Sequence, residues 1–171
     1  TIAIDAMGGD HAPDEVVRAA AELSLSGGDG KGAAAQRDLH LILCGDSARI
    51  GALLHAMPHN AERLRVEHAG SVIGMGDAPQ EALRDRPDSS IAVAARLVAD
   101  GAAHAMVSAG NTGASVLACR QHWQRLPGVR RCALAAVYPT EIRRGEKDDP
   151  FSLLLDVGAT LDVTAEEDRK S

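Results

Sequence analysis

Aromatic residues are almost missing from this chain of 171 residues, which contains one Trp, one Tyr and one Phe. Hydrophobic residues nevertheless make up 45% of the sequence, so the core has to be built from Ala, Val, Leu and Ile. Small aliphatic side chains suit helices that pack on a parallel sheet. The length is sufficient for one domain with a sizeable core.

An excess of basic residues is missing too. There are 18 Lys and Arg against 24 Asp and Glu, which gives a net charge of −6. A nucleic-acid surface needs a concentrated basic footprint, so we expect no nucleic-acid partner. The three cysteines, Cys44, Cys119 and Cys132, form no CxxC pair, which predicts reduced thiols rather than a zinc site or a disulfide framework.

Long apolar runs are missing as well, since none approaches the roughly 18 to 20 residues of a transmembrane helix. The first five residues are typical of a strand and not of a signal peptide. We therefore expect a soluble cytoplasmic protein. His55 and His59 have the spacing of two metal ligands on a helix, but Pro58 lies between them and no third ligand is evident, so we expect no metal site.

Short apolar runs alternate with helical patterns along the chain. The first helix should bury Val16, Ala20 and Leu23, which fall on one face, and a later helix should bury the face that runs from Ile91 to Val98. Alternating strands and helices predict an α/β fold with a mostly parallel sheet and helices on both sides. Ligands bind beyond the carboxyl ends of such strands. The predicted strands are residues 2–4, 39–44, 64–66, 105–107, 133–138 and 153–157.

Two polar stretches, residues 26–38 and 143–150, interrupt this alternation and predict surface loops. No repeat or low-complexity linker divides the chain, so residues 1–165 are expected to form the N-terminal part of a single α/β domain. Residues 166–171 are wholly polar. We expect them to be a tail or the point at which the domain is truncated.

The first candidate site follows the first predicted strand, where Asp5 precedes the pair Gly8 and Gly9. Two glycines allow the backbone to approach an anion closely, and a helix that begins just afterwards favours negative charge. Asp10 and His11 add polar side chains. A tight strand-to-helix turn capped by Asp10 accounts for the same residues without a ligand.

The second candidate site has the same form, because the strand that ends at residue 107 also leads through small residues into a helix. Ser108, Asn111 and Thr112 can each cap that helix or hydrogen-bond a phosphate oxygen, and Gly113 lies in its first turn. A plain helix cap explains one such turn. Two of them in one sheet favour a binding site for an anion.

A third candidate is the polar stretch from Arg84 to Ser90, which we expect to be a loop. Arg84 and Arg86 offer guanidinium groups to a phosphate, and Ser89 and Ser90 offer hydroxyl groups. Solvated arginines beside a helix cap are the alternative explanation.

A fourth candidate lies at the end of the last predicted strand, where Asp156 precedes Gly158. A carboxylate in this position either fixes a turn or orients a group that touches substrate. No covalent nucleophile is indicated, because no cysteine has a histidine beside it, although Arg130 and Arg131 precede Cys132.

Taken together, these motifs resemble the phosphate acyltransferase family. The resemblance rests on Asp-Ala-Met-Gly-Gly-Asp at residues 5–10, Val-Ser-Ala-Gly-Asn-Thr-Gly-Ala at 107–114 and Leu-Asp-Val-Gly-Ala at 155–159. It extends through Ala-Leu-Arg at residues 82–84 and Asp-Ser-Ser at 88–90. Members of the family are longer, so the chain is expected to be the N-terminal half of such a protein.

The resemblance implies a Rossmann-like, three-layer α/β/α fold related to phosphotransacetylases, without a cofactor or metal. It implies a cytoplasmic homodimer with peripheral membrane association. The implied reaction makes acyl phosphate from fatty acyl-[acyl-carrier protein] and inorganic phosphate. Its product would pass to a membrane glycerol-3-phosphate acyltransferase in phospholipid synthesis.

We therefore hypothesise a site in which backbone amides and a few polar side chains hold phosphate. An acyltransferase of the same group that uses acyl-CoA, and a non-catalytic binding or dimerisation domain, remain the alternatives. The expected catalytic residues are Asp5, Asp10, Asn111 and Asp156, and the expected phosphate or substrate contacts are Gly8, Gly9, His11, Arg84, Ser89, Ser90, Ser108, Thr112, Gly113 and Gly158.

Overall fold

The computed structural model describes residues 1–25, 39–128, 134–144 and 149–155. The chain divides into two compact units, Thr1–Gln124 and Arg125–Ser171, and each is described by itself. The single domain over residues 1–165 stays a prediction. The expected loop at 26–38 and the expected tail at 166–171 lie outside the described residues.

The first unit is built on four parallel strands in the order β3-β2-β1-β4. The central strand β1 pairs with β2 on one side and with β4 on the other. All four strands are where the sequence predicts them, except that β2 begins two residues later than expected. The strands are β1 Ile2–Asp5, β2 Leu41–Gly45, β3 Leu64–His68 and β4 Ala105–Val107.

Helices connect these strands and cover both faces of the sheet. Alternate side chains of β2 point to opposite faces, so Leu41 and Leu43 join the apolar cluster of α1 and α2 while Ile42 and Cys44 join that of α4. The mostly parallel, Rossmann-like α/β/α fold is thereby confirmed in this unit. The helices are α1 Asp14–Leu25, α2 Ser47–His55, α3 Pro79–Asp85, α4 Ser90–Ala99 and α5 Thr112–His122.

The buried face of α1 differs from the predicted one. Leu23 is 43% exposed, whereas Val17, Ala20, Ala21 and Ser24 are buried. The polar residue is tolerated because its hydroxyl donates to the Ala21 carbonyl at 2.6 Å and accepts from a backbone amide of a neighbouring loop at 2.9 Å.

The helix α4 follows its prediction more closely. Ile91, Ala94 and Ala95 are almost completely buried, and Val98 packs against the cluster from a half-buried position. Small side chains let this helix lie close to β1 and β2, as the shortage of aromatic residues requires. Within the described residues no helix is both long and apolar enough to cross a membrane.

The second unit contains two strands that pair with each other, β5 Ala135–Arg144 and β6 Asp149–Leu155. They are antiparallel, with Val137 opposite Leu153, so this pair departs from the parallel arrangement of the first unit. The loop predicted at 143–150 is too long, because β5 continues to Arg144 and β6 already begins at Asp149, which leaves four residues between them. That connection is too short for the crossover that parallel strands need.

Candidate functional site

The order of the strands marks one place at the edge of the sheet. The chain runs outward from β1 to β2 and β3 and then returns to add β4 on the other side of β1. In open parallel sheets the crevice for a ligand lies where the order reverses, beyond the carboxyl ends of the strands. Here that place lies between β1 and β4, and the turns that follow them are the first two candidate sites of the sequence.

A buried carboxylate joins these two turns. Asp5 is 3% exposed, and its Oδ2 accepts a hydrogen bond from the Ser108 hydroxyl at 2.7 Å. Its other oxygen accepts from the Met7 amide at 3.2 Å. The Ser108 hydroxyl in turn accepts from the Gly110 amide at 3.0 Å. Asp5 therefore fixes both turns, since each contributes one donor to the same carboxylate.

The two turns approach each other too closely for side chains. A Cβ added to Gly8 would lie 2.8 Å from the Gly110 amide nitrogen and would collide with the carboxylate of Asp5. Gly9 has φ +108°, and a Cβ there would lie 3.2 Å from that of Ala109. Glycine is needed at both positions, for space at the first and for backbone conformation at the second.

The helix α5 begins at the mouth of this crevice and is capped by Asn111. The side chain is 7% exposed, and its Oδ1 accepts from the Ala114 amide at 3.0 Å. Its Nδ2 donates to the carbonyl oxygens of Gly74 and Asp77, each at 3.1 Å. Both ends of the amide are thus engaged, which fixes the first turn of the helix against residues 72–77, hereafter the 72–77 loop.

Thr112 and Gly113 form the first turn of α5. The threonine is exposed and the glycine is half-buried, and a Cβ on Gly113 would lie 2.6 Å from the ring of Pro79 in α3. Their amides are among the helix donors that have no carbonyl in the preceding turn. The positive end of the helix therefore faces the carboxyl edge of the sheet.

Arg84 is not where the sequence predicts it. It belongs to the last turn of α3 rather than to a loop, and its guanidinium pairs with Asp85 at 2.8 Å. This pairing holds the pKa of Asp85 below its ordinary value. The arginine borders an exposed groove between α3 and α5, together with Leu117 and Arg120.

Ser89 and Ser90 are placed at the amino end of α4. Both are buried, and the Ser90 amide donates to the Ser71 carbonyl at 3.1 Å. The Ser89 hydroxyl has no hydrogen-bond partner among the described residues. These hydroxyl groups lie at the carboxyl edge of the sheet, but in the described part of the chain no hydrogen bond joins them to Asp5 or Ser108.

Asp10 and His11 are exposed in the turn before α1. They lie beside the crevice, and neither side chain joins the network of Asp5 and Ser108. Asp156 and Gly158 lie outside the described residues. Roles for these four residues remain predictions.

One ion pair at this edge was missed from the sequence. Asp77 accepts from Arg86 Nη2 at 2.6 Å and from the Gly74 amide at 2.8 Å, and Arg86 Nη1 donates to the Val72 carbonyl at 2.5 Å. The available signal was an aspartate two residues before Pro79, which opens α3.

The histidines give no metal site in the part of the chain that the structure describes. His55 ends α2 in an exposed position, and Nδ1 of His59 lies 3.1 Å from the Met57 carbonyl. No group of three or more His, Cys, Asp or Glu residues is assembled among the described residues.

Cys44 should be chemically inert in the folded protein. Burial raises the pKa of its thiol to about 12, with smaller contributions from the carboxylates of Asp5 and Glu67. In a variant that carries Cys119→Ser and Cys132→Ser, disulfide exchange of Cys44 at about pH 8 should be at least about tenfold slower in the folded state than in urea, because burial leaves less thiolate. Equal rates in the two states would show that the disulfide reagent reaches Cys44 between the sheet and α4 in the folded protein.

Comparison with known proteins identifies the family and several relatives of the chain. A protein-family model described as "Fatty acid synthesis protein" matches residues 1–167. A phosphate acyltransferase of Nitratidesulfovibrio vulgaris (strain DP4) is 43% identical over 161 residues, which are 94% of this chain and 42% of that protein. For the phosphate acyltransferase of Pseudomonas putida (strain KT2440), the identity is 42% over 166 residues, covering 96% of this chain and 45% of that protein.

A third relative, the phosphate acyltransferase of Pseudomonas syringae pv. syringae (strain B728a), is 44% identical over 168 residues and is covered to 44% of its length. The chain thus spans less than half the length of these curated relatives. The family model nevertheless covers almost the whole of it. The chain accordingly belongs to the fatty acid synthesis protein family.

Proposed function

We propose that the chain provides the phosphate-binding part of a phosphate acyltransferase, which makes acyl phosphate from fatty acyl-[acyl-carrier protein] and inorganic phosphate. The observation that carries the proposal is the meeting of two glycine-containing turns at the point where the strand order reverses. Family membership supports it, as do relatives that are named phosphate acyltransferase. The anion would lie between the β1–α1 turn and the amino end of α5.

The proposed reaction needs little general acid or base catalysis. One oxygen of phosphate attacks the thioester carbonyl, so a carbon–oxygen bond forms and the carbon–sulfur bond breaks. Phosphate is already an anion near neutral pH, and a thiol with a pKa of about 8.5 leaves readily as thiolate, which later takes a proton from water. The protein must mainly position the two reactants and stabilise negative charge.

Backbone amides are the principal donors in this proposal. Gly8 and Gly9 allow close approach of phosphate on one side, and Thr112 and Gly113 present the amino end of α5 on the other. Asp5 acts through Ser108 and holds the two turns at a fixed distance.

Five further residues keep their predicted contacts as part of the proposal. Arg84 would have to exchange its pairing with Asp85 for phosphate, because the guanidinium lies on the groove side of α3. The other four, which lie beside the crevice or at the amino end of α4, are Asp10, His11, Ser89 and Ser90.

The partners follow from the reaction. The acyl donor is carried by acyl-carrier protein, and the product is a substrate for a membrane glycerol-3-phosphate acyltransferase. We therefore propose that the enzyme works in the cytoplasm, at the membrane surface. We propose a homodimer as its working form. An enzyme that prefers acyl-CoA is the competing outcome of the test below.

The proposal is tested by acyl phosphate formation from palmitoyl-acyl-carrier protein and phosphate. The assay compares this chain with a form extended to the length of its relatives, and palmitoyl-CoA serves as the competing donor. The extended form should be active, with a preference for the carrier protein. No acyl phosphate in either form would contradict the proposal, and a preference for the CoA ester would replace it with the alternative.

Ser108→Ala in the extended form should lower turnover at subsaturating phosphate about tenfold, because Asp5 loses one of its two donors and the turns separate. Ser47→Ala is the matched control, since Ser47 is an exposed serine at the amino end of α2. Equal activities of the two variants would exclude the proposed role of Ser108.

A further inference from the structure

The amino end of α5 depends on an amide that is itself held from both sides. Asn111 contributes its oxygen to the helix cap and its nitrogen to three carbonyl groups of the 72–77 loop, those of Gly74, Met75 and Asp77. A buried amide with both ends engaged has one favourable orientation, because turning it over would face carbonyl against carbonyl. The position of the helix end is therefore set by the shape of the loop.

The loop keeps its shape through the ion pair of Asp77 and Arg86. The carboxylate accepts the amide of Gly74 from within the loop and a guanidinium nitrogen from outside it. The second guanidinium nitrogen donates to the Val72 carbonyl. Arg86 thus ties the beginning of the loop to its end through two different nitrogens of its planar fork, a geometry that the single nitrogen of lysine does not reproduce.

The charge of this pair is stable around neutral pH. The Gly74 amide and Arg86 lower the pKa of the Asp77 carboxyl below its ordinary value, so the carboxylate stays ionised. The two side chains are about one-third exposed, 37% for Asp77 and 34% for Arg86. A pair of this exposure adds little to overall stability, which leaves local geometry as its main effect.

We propose that Asp77 and Arg86 are positioning residues, which act through Asn111 to place the amino end of α5 at the phosphate. The inference rests on the proposed function, because it assigns the effect to phosphate binding. It adds two residues that belong to neither of the glycine-containing turns. Asp77 belongs to the 72–77 loop and Arg86 contacts it, whereas neither side chain contacts the crevice. Their influence on phosphate is therefore transmitted by the orientation of the Asn111 side-chain amide.

The test compares Arg86→Lys with the control Arg49→Lys in the 171-residue chain. Arg49 forms an exposed ion pair with Asp14 at 3.3 Å and has no part in the site. Arg86→Lys should raise the dissociation constant for inorganic phosphate about tenfold and should shift the NMR signals of the Asn111 side-chain amide. The control should change neither, and all titrations are made where every variant is fully folded.

A second variant removes the charge of Asp77 and leaves the size of its side chain almost unchanged. Asp77→Asn keeps an oxygen for the Gly74 amide but removes the charge, so it should weaken phosphate binding in the same direction as Arg86→Lys. The double variant should be little worse than either single one, since both remove the same contact. Additive losses would show that the two residues act separately, and would overturn the proposal.

Two other results would also overturn it, and they differ from each other. If the Asn111 signals shift while the phosphate constant stays unchanged, the pair shapes the loop without serving the site. If the unchanged chain binds no phosphate, the proposed function fails at its first step and the positioning role falls with it.

Discussion

Gly8→Ala should unfold the chain at a clearly lower temperature and should abolish tight phosphate binding. The added methyl group would lie 2.8 Å from the Gly110 amide nitrogen and against the buried carboxylate of Asp5. The first neighbour is backbone, and the carboxylate is held by hydrogen bonds from Met7 and Ser108, so the two turns must separate. Overpacking of this kind costs about 1 to 3 kcal/mol, which corresponds to roughly 2 to 4 °C for each kcal/mol in a protein of this size.

The matched control is Gly51→Ala in α2. Gly51 is exposed, and nothing lies within 4 Å of the position of its added Cβ. Alanine favours helix over glycine by up to about 1 kcal/mol, so this variant should melt at the same temperature or a higher one. Thermal unfolding followed by circular dichroism measures both. A Gly8→Ala protein as stable as the control would mean that the turns do not touch.

Asn111→Asp should lower the free energy of unfolding more than Asp46→Asn, although both changes are nearly isosteric. The new carboxylate keeps an oxygen for the Ala114 amide but turns its second oxygen toward the carbonyl groups of Gly74 and Asp77. The favourable hydrogen bonds to these carbonyl groups become repulsive contacts around a buried charge, which should cost about 3 kcal/mol. The measurement is the free energy of unfolding from urea titrations near neutral pH.

Asp46→Asn provides the reverse exchange at an exposed cap. Asp46 caps α2 by accepting from the amides of Ala48 and Arg49, and asparagine and aspartate serve almost equally well in that position. This variant should lose only a few tenths of a kcal/mol. If Asn111→Asp lost no more than Asp46→Asn, the contact between α5 and the 72–77 loop would not exist in solution.

The edge of the sheet at which the crevice lies followed from the sequence, because parallel strands bring their carboxyl ends to one edge. The strand order, which places β4 beside β1, came from the structure and makes the two turns neighbours. The pair Gly8 and Gly9 marked close approach, and the structure supplies the neighbours, Ser108 and Gly110. A local pattern sufficed, since each turn directly follows its strand.

The side-chain partners could not be predicted in the same way. Arg84 was expected in a loop facing phosphate, but α3 continues to Asp85, and one more helical residue turns a side chain by about 100°. Asp77 and Arg86 are nine residues apart and meet only because the intervening helix folds back on the 72–77 loop. Hydrophobic periodicity carries no information about such polar contacts.

The pairing of β5 and β6 could not be predicted from the sequence for a different reason. Apolar runs near residues 135 and 153 predict strands correctly, but a run of apolar residues does not state which strand it will join. The length of the connection decides it, because four residues between β5 and β6 permit only a hairpin.

The central claim is that phosphate binds between the β1–α1 turn and the amino end of α5. A titration of the 15N-labelled chain with inorganic phosphate, against chloride at equal ionic strength, tests it most directly. We expect saturable shifts that are largest for the amides of Gly8, Gly9, Gly110, Thr112 and Gly113. Shifts that do not saturate, or that are confined to the groove bordered by Arg84 and Arg120 and leave the amides of both turns unchanged, would contradict the account.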